Sequence, residues 1–160
     1  MTRVNILAGP PACPENDMEV VRHFLSLDGC HIVCGGSSAL MVSRCTGFEI
    51  SIPLDGTSGE FDENTLPAGR IGDEIYATEG IITLKNVAKA LEEEKAPIEG
   101  TGEYLLYSRL TSCDEVNVFW GCAVNSCHPS EIDYFKKEEI LIYIIEKLKK
   151  LNIRVNIFKK

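Results

Sequence analysis

The chain has 160 residues, 44% of them hydrophobic, and carries 24 acidic against 16 basic side chains for a formal net charge of −8. Its length and apolar content suffice for one domain with a sizeable core. The acidic balance repels a phosphate backbone and excludes nucleic acid as an expected partner, and no apolar run approaches the ~20 residues of a membrane span.

Residues 4–8 read as the first strand, and Gly9-Pro10-Pro11 stops it. The opening MTRVNILAGPP is too short and broken too early for a secretion signal, so a cytoplasmic protein is expected. Residues 15–27 follow as a helix, with Met18, Val20, Val21, Phe24, Leu25 and Leu27 at helical spacings, and Asp28-Gly29 releases it. Residues 31–34 form a buried strand and Gly35-Gly36 a tight turn; a helix then opens at Ser37 or Ser38, whose hydroxyl is expected to cap it. Leu40 and Met41 are expected to face the sheet, and Gly47 closes this helix. Residues 48–52 alternate as a strand, and residues 53–72 read as a loop with few apolar anchors.

Residues 74–78 form the next strand, and Glu79-Gly80 makes a second strand-to-helix corner. Residues 81–93 are a helix burying Ile82, Leu84, Val87, Ala88 and Leu91. Pro97 and Gly100 mark a linker before a helix at 104–113, a strand at 116–122 and a loop at 125–134. Residues 137–150 carry the clearest helical pattern, with Leu141, Ile144, Ile145, Leu148 and Leu151 as its buried stripe. Residues 153–158 close the chain as a strand.

Alternation of strands and helices predicts an α/β fold: a mostly parallel, Rossmann-like three-layer sheet with helices on both faces, as one domain over residues 1–160. The corners at Gly35-Gly36, Glu79-Gly80 and Gly121 then lie at the carboxyl ends of strands, the edge where open α/β sheets bind ligands. Asn125 and His128 are placed to reach that edge. Free amides at a helix start, beside glycines and hydroxyls, can hold an anion; the same residues also suit a plain strand–helix corner. Neither G-x-G-x-x-G nor G-x-x-x-x-G-K occurs, so no dinucleotide or triphosphate motif is present.

The seven cysteines, Cys13, Cys30, Cys34, Cys45, Cys113, Cys122 and Cys127, are odd in number and irregularly spaced. They read as reduced, mostly small apolar residues. Cys122, Cys127 and His128 form a C-x4-C-H cluster that lacks the fourth ligand and the close C-x2-C spacing of a zinc site, so no metal is expected.

Four motifs in order carry a family resemblance: LAGPP at 7–11, IVCGGSSALMVSR at 32–44, ATEGIITLKNV at 77–87, and a strand followed by Gly121, Asn125 and His128. The set resembles the C-terminal region of SpoIIE-type bacterial serine phosphatases and covers nearly the whole chain. Ser37-Ser38 stand where that family has two threonines, and Ser126-Cys127 where it has a proline and a variable residue before the histidine. The resemblance implies a region that follows a phosphatase domain, which would itself use Mn or Mg held by aspartates. Asp55-Gly56 superficially resembles the family's Asp-Gly turn, but it is out of order and lacks the partner aspartate pair, so Asp55 reads as a turn residue. No cofactor is expected in this chain.

Two functions of different class follow. The first is an accessory or regulatory domain that binds a small anionic ligand, a catalytic phosphatase domain in cis, or another protein. Its ligand-binding residues would be Gly35, Gly36, Ser37, Ser38, Thr78, Glu79, Gly80, Asn125 and His128. The second is a stand-alone hydrolase with Cys34 or Ser37 as nucleophile, His128 as base and Glu79 orienting it.

Overall fold

The computed structural model describes residues 2–51, 69–123 and 131–159. Seven strands form one sheet in the order β3-β4-β5-β2-β1-β6-β7. The strands are β1 (Arg3–Ala8), β2 (Cys30–Cys34), β3 (Ile50–Ser51), β4 (Gly69–Ile71), β5 (Ile75–Thr78), β6 (Glu115–Trp120) and β7 (Arg154–Lys159). The five central and right-hand strands run parallel, while β3 and β4 are antiparallel additions at one edge. This is the expected α/β, mostly parallel, Rossmann-like arrangement.

The helices are α1 (Asp17–Ser26), α2 (Gly36–Thr46), α3 (Ile81–Glu93), α4 (Gly102–Thr111) and α5 (Glu131–Lys150). Strand side chains alternate between faces, and the core divides accordingly. Leu7, Val33, Ala77 and Phe119 pack with Val20, Val21 and Phe24 of α1 and Met41 and Val42 of α2. Ala8, Ile32, Cys34, Val118 and Trp120 pack instead with Leu84 and Val87 of α3, Leu106 and Leu110 of α4, and Leu141, Ile144 and Leu148 of α5. The chain therefore builds leftward from β1 with α1 and α2 on one face, then crosses to β6 and builds rightward with α3, α4 and α5 on the other. Strand direction of growth reverses between β1 and β6, which makes that pair the topological switch point.

Several details depart from the sequence reading. The stretch expected to be loop contains β4, which pairs with β5 and with the two residues of β3. The strand expected over 48–52 is limited among the described residues to Ile50 and Ser51, and Phe48 is half exposed. Leu40, expected against the sheet, is 64% exposed because the buried face of α2 runs through Ser38, Ala39, Met41 and Val42. Leu151 lies beyond the end of α5 and is exposed, and Ile82, in the first turn of α3, is exposed as well. Helix α5 begins at Glu131, within the expected loop. Gly47 ends α2 as expected, in the left-handed conformation with its N–H on Ser43 O.

A row of amides fixes the register of the central strands. His31, Asn5, Asn117 and Asn156 are successive partners across β2, β1, β6 and β7. Asn117 Nδ2 donates to Asn5 Oδ1 at 2.8 Å, and Asn156 Nδ2 donates to Asn117 Oδ1 at 3.0 Å. Asn5 Nδ2 donates to Asp28 O at 3.1 Å and lies 3.4 Å from His31 Nε2. Asn5 and Asn117 are buried, so a one-residue slip would strand their amides among apolar side chains. An Asn5→Ala variant leaves Asn117 Nδ2 without its acceptor and is expected to lose about 1–3 kcal/mol in urea unfolding. An unchanged unfolding midpoint would show that the row does not hold the register.

Candidate functional site

The carboxyl ends of β1, β2, β5 and β6 are tied together by backbone. Gly121 N–H donates to Ala8 O at 3.0 Å, and Ala123 N–H to Pro10 O at 3.1 Å, so pairing between β1 and β6 continues past both strands. The approach is close enough that a methyl group on Gly121 would run into the carbonyl oxygens of Gly9 and Pro10. Gly9 has φ +94°, a conformation side chains rarely adopt, and a Cβ there would run into Lys137 Nζ. The crevice at the switch point, where a doubly wound sheet usually admits its ligand, is thus closed by backbone between Gly9 and Gly121.

The double-glycine corner and the Glu79 corner stand side by side. Gly35 N–H donates to Thr78 O at 3.0 Å, and a side chain on Gly80 would come within 3.0 Å of Gly35 Cα. Gly35, Gly36, Thr78, Glu79 and Gly80 therefore share one part of the edge. The serines behave differently from the expected cap. Ser38 is buried, and its Oγ accepts the N–H of Gly9 at 2.8 Å, joining α2 to the end of β1. No side chain caps α2, so the amides of its first turn keep their partial positive charge open to the outside. Ser37 is exposed, and a Cβ on Gly36 would meet nothing within 4 Å.

Glu79 closes its own helix. Its Oε2 accepts the N–H groups of Ile82 at 3.0 Å and Thr83 at 3.3 Å, filling the start of α3 with a carboxylate. Of the two adjoining starts, α2 and α3, that of α3 is filled by this carboxylate and that of α2 has no side-chain cap from its N-cap residue. Asn125, Cys127, His128 and Asp55 lie outside the described residues. Among the described residues, no cluster of three or more His, Cys, Asp or Glu side chains could hold a metal ion. No described helix is long and apolar enough to cross a membrane. Cys13, Cys30, Cys34, Cys45, Cys113 and Cys122 are free thiols.

Lys137 is a feature of the edge that sequence reasoning missed. It projects from α5 and donates from Nζ to Gly121 O at 3.1 Å. Burial holds its ammonium below the usual lysine range, and the neighbouring Cys122 and Cys34 push the other way. Its only signal was a lysine at the start of an amphipathic pattern, where a solvated cation is the common outcome. Thr78 lies in the same row of the sheet as Cys34, Ala8 and Trp120. Its hydroxyl influences the Cys34 thiol but makes no hydrogen bond of ordinary geometry, although the residue is 7% exposed. Trp120 Nε1 is buried, with no hydrogen-bond partner among the described residues.

Burial pushes the Cys34 thiol up to about 11; Thr78 and Lys137 pull it down, and Glu79 adds to the rise. A nucleophilic cysteine needs the opposite shift. Comparison with protein-family models, with curated proteins and with solved structures finds no match.

Two outcomes follow from this geometry. A Gly121→Ala variant forces β1 and β6 apart and is expected to lose about 1–3 kcal/mol or more in denaturant unfolding; wild-type stability would contradict the close approach. The unfolded chain releases the Cys34 proton near the ordinary thiol value of 9.0, whereas the folded chain keeps it to about 11. The folded state thus binds more protons in that window, and the contribution of Cys34 to stability, complete below pH 9, falls as pH rises towards 11. Unfolding midpoints measured across this range should decline less steeply in Cys34→Ala than in the wild type. Equal slopes would contradict the burial of this thiol.

Proposed function

We propose that this chain is an accessory, regulatory domain that binds a small anionic ligand at the carboxyl edge of its sheet. In this reading the domain serves a SpoIIE-type serine phosphatase, in cis or as a partner, and passes ligand occupancy to it. The observation that carries the binding role is the start of α2, which its N-cap residue Gly35 leaves without a side-chain cap, set beside the open space over Gly36. Backbone amides and a helix dipole favour a negative group there, and the open space over Gly36 gives it access. The closed crevice at Gly9 and Gly121 supports a small ligand over an extended dinucleotide. The phosphatase connection rests on the ordered motifs alone: the Gly-Pro-Pro opening, the Cys-Gly-Gly corner and the Thr-Glu-Gly corner. Metal chemistry would belong to the catalytic domain, through Mn or Mg.

A thermal-shift screen against nucleotides and phosphorylated metabolites tests the binding role. A true ligand at a hundredfold excess over its Kd raises the wild-type Tm by roughly 5–10 °C. A Gly36→Val variant, whose side chain enters open space and leaves the core intact, is expected to lose that shift. Equal shifts in both proteins, or none in either, would count against an anion at this edge.

A further inference from the structure

Strand β7 ends the sheet and pairs on one side only, with β6, from Arg154 opposite Glu115 to Lys159 opposite Trp120. In a strand the N–H and C=O of one residue point the same way, and those of its neighbours the other way. Arg154 N–H donates to Asp114 O at 3.1 Å, which turns Arg154, Asn156 and Phe158 towards β6. The backbone groups of Val155, Ile157 and Lys159 therefore point outward, where no other strand lies among the described residues. Helix α5 forms a ledge above them. Glu138 Oε1 lies 3.7 Å from Lys159 Nζ, which fixes where α5 passes over β7. As the crossover from β6 to β7, α5 runs opposite to the strands. Four residues along the helix cover about 6 Å, and two residues back along the strand about 7 Å, which sets Ile142 over Ile157. These isoleucines are 43% and 44% exposed, and Val155 beside them is half-buried against the core. Free edge groups under exposed apolar side chains can accept another strand.

Charge decides which strand fits. Residues 147–160 hold six basic side chains (Lys147, Lys149, Lys150, Arg154, Lys159 and Lys160) and no acidic one, in a chain whose net charge is −8. Arg154 is exposed and has no ion-pair partner among the described residues. Lys159 is partly matched by Glu138 and lies 4.7 Å from the centre of the Trp120 ring. A second copy of β7 is a poor occupant. Pairing two copies antiparallel through their outward groups, with Ile157 opposite Ile157, brings the Arg154 end of each strand against the Lys159 end of the other. Like charges set across from each other in this way are destabilising. The residues that keep two copies apart attract a strand of opposite charge. We propose that the outer edge of β7 is a docking site for an extended acidic peptide segment of a partner protein, which adds to the sheet as a further strand. Its backbone pairs with Val155, Ile157 and Lys159, its apolar side chains cover Ile142 and Ile157, and its carboxylates meet Arg154 and Lys159. The edge lies three strands from β2, whose end leads into the α2 site, and does not depend on the anion-binding role.

The full chain is titrated into a short fluorescein-labelled peptide of alternating glutamate and valine, followed by anisotropy, and into the same peptide with lysine for glutamate. The acidic peptide is expected to bind saturably and to lose affinity as salt rises, and the lysine peptide not to bind. Arg154→Glu should weaken binding roughly tenfold or more. Ile157→Pro removes an outward N–H and no bond to β6, so it should weaken binding at least as much in a chain that still folds. Amide exchange in the wild type gives a second readout that needs no variant. Val155, Ile157 and Lys159 should exchange faster than Asn156 and Phe158 in the free chain, and saturating acidic peptide should slow them. No saturable binding, equal binding of the lysine peptide, wild-type affinity in Arg154→Glu or in folded Ile157→Pro, or unchanged exchange at the outward amides would each overturn the docking edge. A dimer of the chain alone that Ile157→Pro dissolves would assign the edge to a second copy and overturn the proposal as well.

Discussion

Everything at the carboxyl edge depends on how closely the backbones of β1 and β6 meet at Gly9 and Gly121. Two hydrogen bonds beyond the strands, Gly121 to Ala8 and Ala123 to Pro10, carry the pairing into what would otherwise be a crevice. Both positions need glycine, one for its positive φ and the other because a methyl would collide with carbonyl oxygens. The usual ligand entrance of a doubly wound sheet is thereby closed, and Lys137 is laid across it with its Nζ on Gly121 O. Ser38 then locks α2 onto the same point by accepting the Gly9 amide. A change at Gly9 or Gly121 would move the lysine, α2 and the adjoining corner together.

The amide row below the edge has a complementary role. By pairing Asn5, Asn117 and Asn156 in register, it forces the last residues of each strand to finish level. That alignment sets Thr78, Cys34, Ala8 and Trp120 in one line, with small residues in the middle and a large ring at one end. Polar atoms within the sheet are therefore treated in two ways. The asparagines are matched with one another, whereas the Trp120 indole has no hydrogen-bond partner among the described residues.

Much of the architecture was legible in the sequence because it rests on local rules. The β1, β2, β5 and β6 runs are short and apolar, α3 has the expected bounds, and Gly47 terminates α2 as a left-handed glycine should. What failed had long-range causes. Strand β4 has three residues, one of them glycine, and exists through its pairing with β5. Ser38 looked like a cap because serine at a helix start commonly is one; here the Gly9 amide, 29 residues away, claims its oxygen. Leu40 followed the apolar pattern, but the turn at Gly35 rotates α2 so that Met41 and Val42 face inward. Lys137 could not be assigned from spacing, because only the crossover from β6 through α5 brings it back over β1.

In the reading proposed above, the rim at the start of α2 holds a small anion beside a switch point closed by backbone. Cys34, buried and protonated, fits a wall of that rim better than a nucleophile. The most direct measurement is a crystal structure of the chain grown with selenate, an oxyanion located by its anomalous scattering. The account predicts a selenium peak at the start of α2, with oxygens in hydrogen-bond reach of the backbone amides beside Gly36. Well-ordered crystals with no peak there would contradict it.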